Sequence, residues 1–305
     1  MRCFINLDEA WHTIARDLHI DGVERLGRQG LKTIELMGQV FRIISTDDMW
    51  VHSKIRKASR TYACAELLWY LSGSNRGTMI EAYAPRYGEF LVDGVAYGAY
   101  GKRWADYGQF KAVIQMLREA ANTRQTVMST WHPGDAYEAS KGGVRDLPCT
   151  LSLQFILRDG KLNLVTTMRS NDWWLGMPYD VWCFSRVQKM IAAAVKVDTG
   201  WYQHQVGSLH VYGTNFSSLY SARTEDPQYV SDDLTMSGIY DWESMKELIS
   251  TAVQEETRIR ETKGGRVRPE IIQLLGGDDA LLSHAVLQCA RKWETTDDQR
   301  ATLDR

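Results

Sequence analysis

Leu147-Pro148-Cys149-Thr150-Leu151-Ser152-Leu153-Gln154-Phe155-Ile156-Leu157-Arg158-Asp159-Gly160 runs directly into Lys161-Leu162-Asn163-Leu164-Val165-Thr166-Thr167-Met168-Arg169-Ser170-Asn171-Asp172. Leu151, Leu153, Phe155 and Leu157 alternate with Ser152, Gln154 and Arg158, the two-residue period of a strand with one buried face. Asp159-Gly160 is a tight-turn pair, and Leu162, Leu164 and Val165 begin the return strand. Counting outward from that turn, residue 149 falls opposite residue 170. A thiol, a guanidinium and a hydroxyl (Cys149, Arg169, Ser170) therefore meet at the open end of the hairpin. Nearby guanidinium charge is expected to lower the Cys149 pKa from about 8.5 toward neutrality and make it a nucleophile. On spacing alone, a core cysteine beside a surface arginine is an equal reading.

Working outward, Leu7, Trp11, Ile14 and Leu18 have helical spacing over 7–18, and residues 31–45 read as strand. Residues 61–72 are apolar nearly all round, which predicts a buried helix stopped by Gly73. Glu66 is the lone carboxylate in it, and burial would raise its pKa into the range of a proton shuttle. Residues 109–121 fit an amphipathic helix and 125–131 a strand. A long apolar helix is expected over 181–197, after a break at Pro178, and a short strand around Leu209–Val211. Beyond residue 225 the pattern is helical, over 241–263 and 277–292. The basic stretch 258–268 reads as a solvated loop. Strands and helices mix without regular alternation. The expected class is α+β, with a mixed or antiparallel sheet packed with helices. One domain is expected, with a core over 1–225 and a helical extension over 226–305.

The bulk numbers exclude several classes. The chain has 305 residues, 44% hydrophobic and 24% charged, with a formal net charge of -2. No basic field points to nucleic acid or a membrane surface. Five cysteines without CxxC spacing argue against a disulfide framework or a metal site. Cys64, Cys183 and Cys289 read as core thiols. No continuous apolar run of membrane-spanning length or signal segment is evident, so a cytoplasmic protein is expected.

Further segments complete a known pattern. LPCTLSLQF (147–155), MRSNDWWLGMPYDV (168–181) and GSLHVYGTN (207–215) resemble the thymidylate synthase family, where a proline-cysteine nucleophile precedes RSxDxxLGxPFN and HxY. AELLWYLSGSN (65–75), AYGKRW (99–104) and TRQTVMSTW (123–131) resemble its HELLWFLxGxTN, VYGKxW and SRRxxxSxW. The resemblance covers residues 28 to 216 and implies a homodimer paired through its sheets, with 5,10-methylenetetrahydrofolate as co-substrate. It implies that Cys149 adds to C6 of a pyrimidine nucleotide and that Glu66 is the catalytic glutamate. Arg169, Ser170 and Arg28 would hold the phosphate, with Arg124 donated by the partner subunit. His210 and Tyr212 would bond the sugar 3′-hydroxyl, and Asp172 the folate pterin. Gln125 stands where the family has a second arginine.

Asp180 is the departure that matters most, because thymidylate synthases carry asparagine there. Cytosine presents an acceptor at N3 and a donor at N4, which an aspartate holding or sharing a proton matches. Uracil presents the reverse. The expected substrate is therefore a cytidine monophosphate, as in the deoxycytidylate hydroxymethylase branch. Residues 83–87 lack the family's folate-facing tryptophan and DDQRATLDR (297–305) lacks an apolar closing tail. Both changes would admit water and give a hydroxymethyl product. Ser208 replaces the usual aspartate before HxY, which leaves deoxyribose or ribose open. A CMP hydroxymethylase of nucleoside-antibiotic biosynthesis, a cytidylate C5-methyltransferase and a non-catalytic nucleotide- or mRNA-binding protein are the alternatives.

Overall fold

A computed structural model describes residues 1–27, 30–142, 144, 146–231 and 234–294. Arg28 and the segment 297–305 lie outside the described residues. The order is β1 (Arg2–Phe4), α1 (Leu7–Ile20), β2 (Val23–Leu26), β3 (Lys32–Ile43), α2 (Arg60–Ser72), α3 (Thr78–Tyr83), a 3-10 turn over Pro85–Phe90, α4 (Tyr100–Asp106), α5 (Gln109–Glu119), β4 (Val127–Ser129) and α6 (Pro133–Lys141). Then follow β5 (Thr150–Arg158), β6 (Lys161–Asp172), α7 (Met177–Val195), β7 (Asp198–Tyr212), α8 (Phe216–Ala222), α9 (Trp242–Thr262), α10 (Pro269–Leu274) and α11 (Leu281–Ala290).

The strands form one mixed sheet in the order β1-β3-β7-β6-β5-β4, and β2 pairs with the stretch of β3 that β1 leaves free. β5 and β6 are the predicted hairpin, paired antiparallel from Arg158↔Lys161 outward. β6 and β7 run parallel, which requires a crossover, and α7 supplies it. β7 is far longer than the short strand expected. Its residues 198–208 look irregular because they carry polar side chains and two glycines, yet they lie between β3 and β6. Gly207 is one of them. A Cβ there would stand 2.9 Å from the Arg169 carbonyl oxygen on the neighbouring strand.

The core lies between the sheet and its helices. α2 is buried on nearly every side because α7, α9 and α11 all pack around it, so it needs no polar face. Ser59 caps it by accepting from Tyr62 N, and Gly73 ends it at φ 67°, where a side chain would be strained. α7 begins four residues earlier than expected. Pro178 sits in its first turn, where a missing N–H costs nothing, so it starts the helix and sets Asp180 on that turn. The 258–268 stretch is not a solvated loop. Its first half is the end of α9, and Arg258 and Arg268 both pair with the buried Glu255.

Candidate active site

The end of the hairpin differs from simple counting by one residue. A bulge between Thr150 and Ser152 takes up one position of β5. Thr150 then faces Met168, and the Arg169 amide donates to the Cys149 carbonyl at 2.9 Å. Cys149 thus lies opposite Arg169 rather than Ser170. The guanidinium folds back on the chain before the thiol: Nε donates to Pro148 O at 2.9 Å and Nη2 to Leu147 O at 3.0 Å. Ser170 and Asn171 are strand residues of β6.

Cys149, Glu66 and Asp180 line one cavity of about 190 Å³, reached from three elements: the mouth of β5, the middle of α2 and the first turn of α7. Tyr87 and Asp146 share it. A larger, more open hollow of about 550 Å³ runs past Arg103, Trp131 and Asp135, but an Arg103–Asp135 ion pair already neutralises it and no thiol faces it. The chemistry-bearing groups converge in the smaller cavity.

Burial controls the protons there. It pushes the Glu66 carboxyl up to about 8, with the Asp180 charge adding to the rise. Glu66 Oε1 accepts from Tyr62 OH at 2.9 Å, and the Cys183 thiol lies 3.9 Å from Oε2. Cys183 is therefore a core thiol that also faces the carboxyl. Burial likewise lifts Asp180 to about 7. Asn171 Nδ2, donating to its Oδ2 at 2.7 Å, works the other way, and Asp172 adds to the rise. The thiol behaves differently from the sequence expectation. Burial raises Cys149 to about 11; Arg169 pulls it down, while Asp180, Asp146 and Asp172 push it up. One guanidinium, already engaged by two carbonyls, does not outweigh burial and three carboxylates.

Asp172 ends β6 and divides its oxygens. Oδ1 accepts from Trp174 N and Leu175 N at 2.7 and 2.9 Å, which shapes the turn into α7. Oδ2 is buried with no hydrogen-bond partner among the described residues. An orphaned buried acceptor of this kind suits the N–H groups of a pterin. His210 pairs with Asp172 across β6 and β7, and its ring meets Tyr212 edge-on at 5.0 Å. Ser208 donates to the Glu35 carboxylate beside them. Arg124 is exposed in the loop before β4, away from the cavity lining.

Several cavity or support residues escaped the sequence reading. Asp146 accepts from Gly98 N at 3.0 Å and from Tyr87 OH at 3.4 Å. Its only signal was a carboxylate three residues before the thiol. Asn171, His204 and Tyr202 form a buried chain behind Asp180. Trp11 and Trp173 stack at 4.3 Å and exchange indole-to-carbonyl hydrogen bonds, which ties α1 to the Asp172 turn.

The sequence pattern of the thymidylate synthase family matches residues 9–251, a span that takes in strands β2 to β7, with the β5–β6 hairpin, α2 and α7. The chain belongs to that family. It is 26% identical to a thymidylate synthase of Francisella philomiragia over 230 residues, covering 68% of this chain and 81% of the relative. The sheet with its surrounding helices is thus the thymidylate synthase fold, and Cys149, Glu66 and Asp180 meet inside the matched region. The family transfers one-carbon units to a nucleotide, with methylenetetrahydrofolate as the donor. Among the described residues no helix is long and apolar enough to cross a membrane.

Proposed function

We propose that this chain is a folate-dependent cytidylate hydroxymethylase, converting dCMP to 5-hydroxymethyl-dCMP in a sheet-paired homodimer. The single observation that carries the reading is Asp180, a buried acid facing Cys149 where the family's uracil reader is an amide. The named relative makes thymidylate; an ionised Asp180 set against uracil O4 would leave a buried lone-pair clash costing about 1–3 kcal/mol.

As the Cys149 thiol gives up its proton to solvent, Sγ forms a bond to C6 of the ring and the electron pair of the C5–C6 double bond passes toward N3; a proton returns to sulfur when the C6–S bond breaks. A proton held on Asp180 meets the electron pair at N3. C5 would then attack the one-carbon unit that methylenetetrahydrofolate supplies at the oxidation level of formaldehyde, and the bond from that carbon to the folate nitrogen would break as tetrahydrofolate leaves. Water adds to the resulting exocyclic methylene, the proton at C5 having been lost, and the C6–S bond breaks to return Cys149. The balance is dCMP, methylenetetrahydrofolate and water giving 5-hydroxymethyl-dCMP and tetrahydrofolate. Glu66, with its carboxyl near 8, holds or moves a proton near C4–N4 and C5. Arg169, Ser170, Arg28 and the partner's arginine at position 124 take the phosphate, His210 and Tyr212 the 3′-hydroxyl. Asp172 Oδ2 takes the pterin. Exposed Met37, Val40 and Val127 on the sheet support pairing of two sheets.

Incubation with methylenetetrahydrofolate and each of dCMP, CMP and dUMP, followed by mass spectrometry, tests the proposal. A gain of CH2O on a cytidylate is expected. A methylated product, or turnover of dUMP alone, would sink it. Asp180→Asn should lose cytidylate turnover and acquire uridylate activity.

A further inference from the structure

Behind Asp180 lies a line of buried polar groups that no step above uses. Asn171 Nδ2 donates to Asp180 Oδ2 at 2.7 Å, and Asn171 Oδ1 lies 3.0 Å from His204 Nε2. His204 Nδ1 lies 3.0 Å from Tyr202 OH. Asn171 is 3% exposed and His204 and Tyr202 are fully buried, so water does not complete their bonding. They stand on the two central strands, β6 and β7, where backbone movement is most restricted.

The polarity of this line is determined link by link. Asn171 Nδ2 donates to Asp180 Oδ2, which leaves the amide oxygen facing His204 as an acceptor. Nε2 must then carry the imidazole proton and donate. Nδ1 must accept, and Tyr202 must donate to it. His204 stays neutral because burial lowers its pKa to about 3, so neither end of the ring changes role near neutrality. Gly176 leaves room for the first link: a Cβ there would press on Asp180 Oδ2 at 3.2 Å and Asn171 Nδ2 at 3.3 Å.

We propose that Asn171, held in one orientation by His204 and Tyr202, is the positioning residue that decides which oxygen of Asp180 accepts and which carries a proton, and thereby sets its base preference. This deepens the cytidylate reading and rests on it. Oδ2, already receiving the Asn171 amide, keeps acceptor character and suits the cytosine N4 amino group. The proton falls to Oδ1, which suits ring N3. Uracil would need the opposite order, and a base whose C6 is held at Cys149 cannot turn over to provide it. An acid at position 180 without the amide behind it could place its proton on either oxygen and would discriminate less.

The test compares dCMP and dUMP affinities by calorimetry, which does not depend on turnover, in wild type, Asn171→Ala, His204→Gln and Tyr202→Phe. Loss of the amide should shrink the dCMP:dUMP affinity ratio by about tenfold. His204→Gln, whose own amide can face either way, should shrink it by about fivefold, and Tyr202→Phe by about twofold to threefold. The pH at which dCMP binding falls off should rise in Asn171→Ala, because a donor favouring the carboxylate is gone; a general loss of packing would not move it. If Asn171→Ala does not fold, His204→Gln and Tyr202→Phe carry the comparison. A folded Asn171→Ala with an unchanged ratio, or an unchanged ratio in both of the other variants, overturns the proposal. A wild-type preference for dUMP would overturn the cytidylate reading instead. The ratio in Asn171→Ala would still decide whether this residue sets the preference of Asp180.

Discussion

Replacing Glu66 by glutamine should stabilise the protein, by an amount that grows with pH. The carboxyl sits in the middle of α2, 9% exposed, and burial moves its pKa from 4.5 to about 8. Below pH 4.5 both the folded and unfolded chains hold the proton, so its stabilising contribution is fully present. Between 4.5 and 8 the unfolded chain releases the proton while the folded one keeps it. Each unit of pH in that window therefore takes up to about 1.4 kcal/mol from the wild type. Above 8 both states are ionised and the deficit stays constant. The full shift of 8 − 4.5 = 3.5 units sets a ceiling of about 5 kcal/mol, which relaxation around the charge reduces. The Glu66→Gln variant has no such slope, and its amide oxygen can still accept from Tyr62 OH. Urea unfolding of both proteins at pH 5, 6, 7 and 8 isolates the effect, because the other titrating groups largely cancel in the difference. The variant's advantage should widen steadily over that range. A difference that stays flat from pH 5 to 8 would refute the burial argument.

Alkylation of Cys149 by iodoacetamide in the nucleotide-free protein, mapped by peptide mass, should be slow at pH 7.5 and accelerate only as pH approaches 11, whereas exposed Cys3 reacts early; fast labelling of Cys149 near neutrality would contradict this. Glu255→Ala should destabilise by about 1–3 kcal/mol in thermal or urea unfolding, because Arg258 and Arg268 both lose a buried partner but stay partly solvated. Burial works to raise the Glu255 carboxyl, yet the two arginines outweigh it and bring it down to about 2. Its stabilisation should therefore be present above pH 4.5 and fade as pH falls from there toward 2, so wild type and Glu255→Ala should converge in acid.

Local periodicity carried much of the fold. The β5–β6 hairpin, the buried α2 and its Gly73 stop all follow from side-chain spacing and turn chemistry, and the structure has them within a residue or two. What eluded the sequence depends on neighbours distant in the chain. β7 looks short because Gln203 and His204 are polar, but they are buried there by strands on both sides. Arg258 and Arg268 look solvated because nothing adjacent in sequence shows that Glu255 lies beneath them. Likewise Glu66 stands out as a lone carboxylate in an apolar helix, whereas no local pattern singles out Asn171 beside Asp172. In register Asn171 pairs with Leu209, and only the folded course of the adjacent strands β6 and β7 brings its side chain to His204; the early start of α7 brings Asp180 to it.

The protonation states of the empty cavity bear on how the thiol can act. Burial lifts the Cys149 thiol to about 11, so in the empty cavity the protonated form predominates at neutral pH. Arg169 therefore does not prepare a charged nucleophile in advance; two of its N–H groups hold the carbonyls of Leu147 and Pro148 and so fix the strand mouth from which the thiol projects. Bond formation at C6 must instead be coupled to neutralisation of the charge that moves into the ring. Asp180, which burial lifts to about 7, is an acid in the cavity that could supply a proton for that step on the proposed reading. On the proposed cytidylate reading, an acid at position 180 would serve recognition and addition through the same proton, since the hydrogen that identifies N3 would also stabilise the adduct. An amide there could recognise a base but could not release a proton to it. If the proposed cytidylate reading holds, the exchange of asparagine for aspartate would change the step at which Cys149 becomes competent as well as the base that is read.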